Sequence, residues 1–289
     1  MWPSGCCPWS ASRLVGVAIE FLKGHGTQND FVLLPDPSAR LELTPGRVAA
    51  LCDRQRGLGA DGVLRVARAQ ALGIPSAGEW FMDYLNADGS VAEMCGNGMR
   101  VFARYLVEAA LAEGPEFLVG SRAGDRPVIV HPDGSVTVHM GPATITGASV
   151  AIVDDRNFSG VAVDVGNPHL VSIVDDDVAD LELSRQPRYD RDFFPDGVNL
   201  EFVNPIGEGA LRMRVYERGV GETRSCGTGT VAAVAAALHL AGTDTGESTV
   251  DVPGGRVTVA MKRGESTLTG PAEFVAKGEL LDTWWDANA

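Results

Sequence analysis

Two stretches of this chain say nearly the same thing, and that repetition constrains the fold more than any other feature. Cys95 and Cys226 open the turns CGNG and CGTG, and each turn leads into an apolar helical pattern. Tyr84 precedes Cys95 by 11 residues, and Tyr216 precedes Cys226 by 10. Some sixty residues before each cysteine, a polar loop between two short strand-like runs carries an asparagine: Asn29 in HGTQNDF and Asn167 in GNPH. Such a repeat predicts two similar units from one duplication. A pseudo-two-fold between them would set the two cysteines on opposite walls of one cleft.

Around these landmarks the chain reads as short strands cut by Gly, Pro and Asp turns. Strands are expected at Val17–Leu22, Phe31–Leu34, Val63–Val66 and Glu79–Leu85, and a hairpin at Pro127–His131 and Ser135–Met140. Thr44-Pro45 is a helix start, with Thr as N-cap and Pro at the first helical position, and GRVAALCDRQR continues it. That helix buries Val48, Leu51 and Cys52. A helix follows the first cysteine from Asn97 to about Ala112. The second half repeats the plan with strands at Val161–Val165, Leu170–Val174, Val198–Val203 and Leu211–Tyr216. An alanine-rich helix then runs to about Ala241, and strands Thr249–Val252 and Arg256–Met261 follow.

Charge and composition remove several function classes. The 289 residues carry 24 Lys and Arg against 38 Asp and Glu, a net charge of −14 with no basic block. Neither nucleic acid nor an anionic membrane surface suits such a chain. The most apolar run, TVAAVAAALHLAG, is too short for the ~20 residues of a membrane helix. Residues 1–16 lack the parts of a secretory signal and read as a disordered leader. Five cysteines without CxxC or Cys/His ligand spacing indicate neither a disulfide framework nor a metal site, and a reducing cytoplasm is the expected setting. GLGADG (57–62) matches a dinucleotide fingerprint in letters, but it follows a helix instead of a strand and reads as a helix stop.

A cysteine at the mouth of a helix has a specific chemistry. The first turn offers unpaired N–H groups and a partial positive charge, which hold an anion and favour a thiolate. Flanking glycines let a substrate approach the backbone. One such thiol suits a nucleophile; two that face each other suit inversion at a carbon, one removing a proton as the other supplies one.

The motifs GHGTQNDF, YLNADGSVAEMCGNG, VDVGNPHLV, FPDGVNLEF, RVYERGVGETRSCGTGT and VPGGRV occur in an order that resembles the diaminopimelate epimerase family, over about Ile19–Trp285. The resemblance implies interconversion of LL- and meso-2,6-diaminopimelate without pyridoxal phosphate or metal, in lysine and peptidoglycan synthesis. It implies an α/β fold of mixed α+β type, with two pseudo-symmetric domains, each a barrel-like sheet around a central helix and the active site between them. Residues 17–139, joined by 272–289, would form one lobe and residues 140–271 the other, with a homodimer as the assembly. It implies Cys95 and Cys226 as base and acid, and Gly96-Asn97 and Gly227-Thr228 as the carboxylate cradle. Asn29, Asn86, Asn167, Asn199, Glu217 and Arg218 would grip the substrate, and His169 and Glu217 would tune the thiols. Gly62 departs from the pattern, since many members have a substrate-contacting Gln there. Rival readings are a proline-type racemase or related isomerase, a thiol redox protein using the same cysteines, and a non-catalytic amino-acid-binding module.

Overall fold

The computed structural model describes residues 19–288. The expected leader at 1–16, with Cys6 and Cys7, and the expected strand start at Val17 lie outside the described residues. The first half of the chain forms β1 (Ile19–Gly26), β2 (Asn29–Pro35), α1 (Pro45–Cys52), β3 (Gly62–Arg68) and α2 (Ala69–Leu72). It continues with β4 (Trp80–Asn86), α3 (Gly96–Glu108), β5 (Glu116–Gly120), β6 (Arg126–Val130) and β7 (Val136–Pro142). The second half forms β8 (Thr144–Val153), β9 (Arg156–Asp164), β10 (Pro168–Ile173), β11 (Arg188–Tyr189), β12 (Asn199–Gly207) and β13 (Ala210–Glu217). After β14 (Gly221–Thr223) come α4 (Gly227–Leu240), β15 (Gly246–Val252), β16 (Gly255–Lys262), β17 (Glu265–Gly270), β18 (Glu273–Leu280) and α5 (Asp282–Asp286). The fold is strand-rich and mixed α+β.

The repeat reappears as strand pairing. β1–β2 is antiparallel, β2–β3 parallel, β3–β4 antiparallel, β4–β5 parallel, and β5–β6 and β6–β7 antiparallel. From β9 the same senses recur in the same order through β10, β12, β13, β15, β16 and β17. Parallel neighbours need a crossover, and α3 and α4 supply the equivalent ones, β4 to β5 and β13 to β15. β18 lies along β1 as β8 lies along β9, and β7 pairs with β17 to join the two series into one sheet.

Each long helix is enclosed by its own series. α3 packs on β1–β4, β6 and β7, and α4 on β8–β10, β12, β13 and β15–β17. A helix surrounded by sheet has no solvent face, which is why α4 is apolar all round and buries nearly every residue from Gly227 to Ala236. No helix among the described residues is long and apolar enough to cross a membrane.

Three boundaries differ from the sequence expectation, each for a local reason. α1 stops at Cys52 instead of running through Arg56: Asp53 accepts the Gln55 and Arg56 N–H groups at 2.8 Å, and the Leu58 and Gly59 N–H groups return to the Leu51 carbonyl at 3.0 Å. GLGADG therefore completes a helix stop. α3 ends at Glu108 because Ala110 turns to φ 54° and Leu111 N–H closes on the Leu106 carbonyl at 2.8 Å. HGTQNDF is a two-residue hairpin, not an open loop, with Thr27 and Gln28 at φ 50° and 62°, the signs of a type I′ turn. β5, β8, β11, β14, β17 and β18 were not legible as strands. The two longest, β8 and β18, leave most of their residues half or fully exposed, so neither carries a clean apolar alternation.

Leu268 on β17 sits where the two halves meet. It is fully buried, and its Cδ2 lies 3.3 and 3.4 Å from where a Cβ would stand on Gly96 and Gly227. Leu268→Ala should cost about 2–5 kcal/mol in urea unfolding, since it opens a cavity beneath both helix mouths.

Candidate active site

Both helices begin with a thiol as N-cap. Cys95 has φ −141° and ψ 120°, and its sulfur accepts the Gly98 N–H at 3.5 Å; Cys226 has φ −126° and ψ 118°, and accepts the Gly229 N–H at 3.4 Å. The two N-termini abut: a Cβ on Gly227 would lie 3.3 Å from the Gly96 Cα. A side chain at 227 would press on the opposite helix mouth, and one at 96 on the side chains of Met140 and Leu268. The described cysteines, Cys52, Cys95 and Cys226, are all free.

A hydrogen-bond chain runs across the junction. Arg100 Nη2 donates to Thr27 Oγ1 at 3.0 Å, and Thr27 Oγ1 meets Ser225 Oγ at 2.6 Å. Asn97 Nδ2 donates to the Ser225 carbonyl at 3.1 Å and to Asn29 Oδ1 at 3.2 Å. Asn29 Oδ1 lies 3.5 Å from Cys95 Sγ, and Asn29 Nδ2 donates to Asp61 Oδ2 at 2.7 Å. Guanidinium can only donate, so the Thr27 hydroxyl accepts from Arg100 and keeps its own proton for Ser225 Oγ or for Asn97 Oδ1, 3.4 Å away. These bonds offset the strain of a β-branched residue at positive φ, a conformation that concentrates at functional sites.

The second half assembles around Cys226. His169 Nδ1 meets Glu201 Oε1 at 2.7 Å, both fully buried, and His169 Nε2 lies 3.0 Å from Asn167 Oδ1. Asn199 Nδ2 donates to the Pro168 carbonyl at 3.1 Å, and its Oδ1 accepts the Arg218 N–H at 3.0 Å. The Glu217 carboxylate accepts the Thr223 hydroxyl and neighbours the Cys226 thiol. Thr228 Oγ1 lies 3.5 Å from Cys226 Sγ. Arg218 is exposed, with its guanidinium bonded to the Asp196 carbonyl at 3.1 Å.

Asn86 stands apart in this hydrogen bonding. It closes its own turn by donating to Ser90 Oγ at 3.0 Å. Gly62, opposite Asn86 in the β3–β4 ladder, has no room for a side chain: a Cβ there would lie 2.6 Å from both the Leu85 carbonyl and the Tyr84 ring. The missing amide at that position is thus matched by packing that requires glycine. Among the described residues no three His, Cys, Asp or Glu side chains are grouped to hold a metal ion.

The thiols correct one expectation. The helix mouths favour a thiolate, yet burial, helped by the Glu217 charge, pushes Cys95 up to about 11 against the Gly98 and Asn97 N–H bonds and the Arg100 charge. Burial, reinforced by the Glu217 and Glu201 charges, holds Cys226 well above the usual thiol range. Desolvation outweighs the helix field here. Burial also raises the Glu217 carboxyl.

Sequence reasoning passed over Thr27, Arg100, Glu201 and Ser225. Thr27 lay inside a quoted motif and Ser225 immediately before a named cysteine, so proximity was the available signal. Arg100 looked like an ordinary polar helix position, and Glu201 a strand residue.

A family model described as diaminopimelate epimerase matches residues 21–146 and 161–275. The chain belongs to the diaminopimelate epimerase family. The diaminopimelate epimerase of Rhodococcus erythropolis is 56% identical over 287 residues, covering 93% of this chain and 98% of the relative. That of Mycolicibacterium smegmatis is 56% identical over 288 residues, covering 93% and 99%. Two solved structures show the fold shared more widely. A phenazine biosynthesis protein of Bacillus anthracis superposes with a TM-score of 0.66 at 18% identity, covering 92% of this chain and all of that one. A hydroxyproline epimerase of Agrobacterium vitis gives 0.64 at 16%, covering 94% and 98%. Family membership favours the epimerase reading over the racemase and redox rivals.

Asn29 is steered by an ion network that can be tested. Arg54 bonds Asp30 at 2.8 and 3.1 Å and Asp61 at 2.9 Å, and Lys23 bonds Asp30 at 2.5 Å. Burial raises the Asp30 carboxyl, but the Arg54 and Lys23 contacts outweigh it and hold the group down to about 2. A folded value below the unfolded ~3.9 means stability that is present above pH ~4 and lost as pH falls toward ~2. Asp30→Asn should cost about 2 kcal/mol at pH 7 by urea unfolding, with the deficit shrinking as pH falls through that window.

Proposed function

We propose that this chain interconverts LL- and meso-2,6-diaminopimelate by two-base inversion at the α-carbon, with Cys95 and Cys226 as the acid–base pair and no cofactor taking part. The observation that carries this reading is the meeting of two thiol-capped helix mouths, with a Gly227 Cβ position 3.3 Å from the Gly96 Cα. One thiolate takes the α-proton and becomes S–H. The C–H electron pair stays on the substrate as a carbanion spread into its carboxylate, and the opposite thiol delivers its proton to the other face, leaving the net charge of the pair unchanged. The N–H groups at Gly96-Asn97 and Gly227-Thr228 hold that carboxylate as negative charge builds on it. The substrate's ammonium brings the positive charge that a buried thiolate calls for.

Asn29, Asn86, Asn167, Asn199 and Arg218 grip the substrate, with the exposed Arg218 fork leaving the Asp196 carbonyl to take the distal carboxylate bidentately. Glu217 pairs with an ammonium and, with His169, tunes the thiols. The lobes 17–139 with 272–289, and 140–271, close on the substrate, in a homodimer working in the cytoplasm to supply lysine and peptidoglycan precursors.

Proton NMR of LL-diaminopimelate in D₂O with reduced enzyme and a chelator tests the reading. Loss of the α-proton signal with appearance of the meso isomer is the expected result; binding without exchange would overturn it in favour of a binding module, and exchange of proline instead would favour the racemase. Cys95→Ser and Cys226→Ser should each lose about 10²–10⁴-fold or more in turnover with the fold retained by circular dichroism. Full turnover in either variant rules out two bases.

A further inference from the structure

Superposing the two strand series by their pairing shows where the halves stop being alike. Gly98 and Gly229 each stand three residues after their cysteine. A Cβ on Gly98 would meet the Leu64 Cδ2 at 3.3 Å, while one on Gly229 would meet Glu201 Oε1 at 2.7 Å. Leu64 and Glu201 are therefore structural mates. Five residues after each cysteine stand Arg100 and Val231, both fully buried. Backbone geometry is repeated and charge is not: a buried cation belongs to the Cys95 half, and a buried carboxylate to the Cys226 half.

Arg100 has no carboxylate partner among the described residues. Its guanidinium bonds only neutral oxygens, Thr27 Oγ1 at 3.0 Å, Pro271 O at 3.1 Å and Gly96 O at 3.4 Å. Two glycines make room for it, since a Cβ at Gly26 would lie 3.0 Å from Nη2 and one at Gly270 3.3 Å from Nε. Burial works against the Arg100 charge, and a charge on Cys95 works in its favour. An unpaired buried cation is unfavourable and is stabilised by any anion that forms beside it. Glu201 differs in having one partner: Oε1 is bonded to His169, while Oε2 is buried with no partner among the described residues.

We propose that Arg100 and Glu201 are positioning residues that charge the two half-sites oppositely, so that the thiol pair loses its first proton from Cys95 and keeps its proton on Cys226. The charged and titratable groups facing Cys95 are Arg100 of its own helix and Glu217 at the end of β13, with the Tyr84 phenol of β4, which burial keeps neutral. Those facing Cys226 are Glu217 and, from β12, Glu201, with His169 of β10 behind it. Glu217 acts on both thiols, whereas Arg100 acts on Cys95 and Glu201 on Cys226. The assignment deepens the acid–base reading above and rests on it for its catalytic meaning.

The test needs no substrate, which separates its failure from failure of the epimerase reading. The reduced full-length protein is alkylated with iodoacetamide across pH, and the rate at each cysteine is read by peptide mass spectrometry. In the unsubstituted protein the midpoint for Cys95 should lie about one pH unit or more below that for Cys226. Arg100→Gln should raise the Cys95 midpoint by about one unit or more and leave Cys226 unmoved, while Arg100→Lys stays near the original. Glu201→Gln should lower the Cys226 midpoint alone. Cys226 ionising first in the unsubstituted protein overturns the proposal, and so does a folded Arg100→Gln whose midpoint equals that of Arg100→Lys. Should Arg100→Gln fail to fold, the unsubstituted protein and Glu201→Gln still decide it.

Discussion

Two helix N-termini pressed together are the constraint on which the rest of this structure depends. Each carries unpaired N–H groups and a partial positive charge, so their approach across Gly96 and Gly227 is unfavourable until an anion lies between them. The surrounding parts hold that contact in place. Leu268 packs beneath both glycines, β7 pairs with β17 alongside, and the Thr27–Ser225 hydroxyl bond ties the first hairpin to the residue before Cys226. A strained threonine turn persists because Arg100 and Ser225 use its hydroxyl.

The halves share a backbone plan yet differ in the charges buried beside it. Exchange of a proton between two faces of a carbon calls for equivalent geometry on both sides, which the repeated order of strand senses supplies. Identical surroundings would leave the two thiols equal in where the proton rests. A buried guanidinium under one helix mouth and a buried carboxylate beside the other make the surroundings unequal at positions whose mates are Val231 and Leu64.

Much of the plan was legible because it is written in local signals. CGNG and CGTG mark helix starts through glycine and a capping side chain, and Thr44-Pro45 marks another. The asparagine loops were legible as strand connections, though not as tight as the Thr27-Gln28 hairpin, because non-glycine residues seldom take that turn. Strands β8 and β18 escaped notice because they pair through the backbone while their side chains stay largely exposed. Asn86 was grouped with the other asparagines, yet its amide is engaged in its own turn.

The sequence by itself determined the duplication, the two thiols at helix mouths, the asparagines at equivalent hairpins and the family. The duplication, the thiols and the asparagines follow from capping, glycine turns and apolar periodicity, which act over a few residues, and the family follows from the resemblance of six motifs in order. Only the tertiary structure decided that burial opposes the thiolates, that Arg100 has no carboxylate partner among the described residues, that Glu201 lies beside Cys226, and that Gly62 leaves no space for a side chain. The physical reason is that desolvation and buried charge depend on neighbours brought from distant parts of the chain, and no local pattern encodes them.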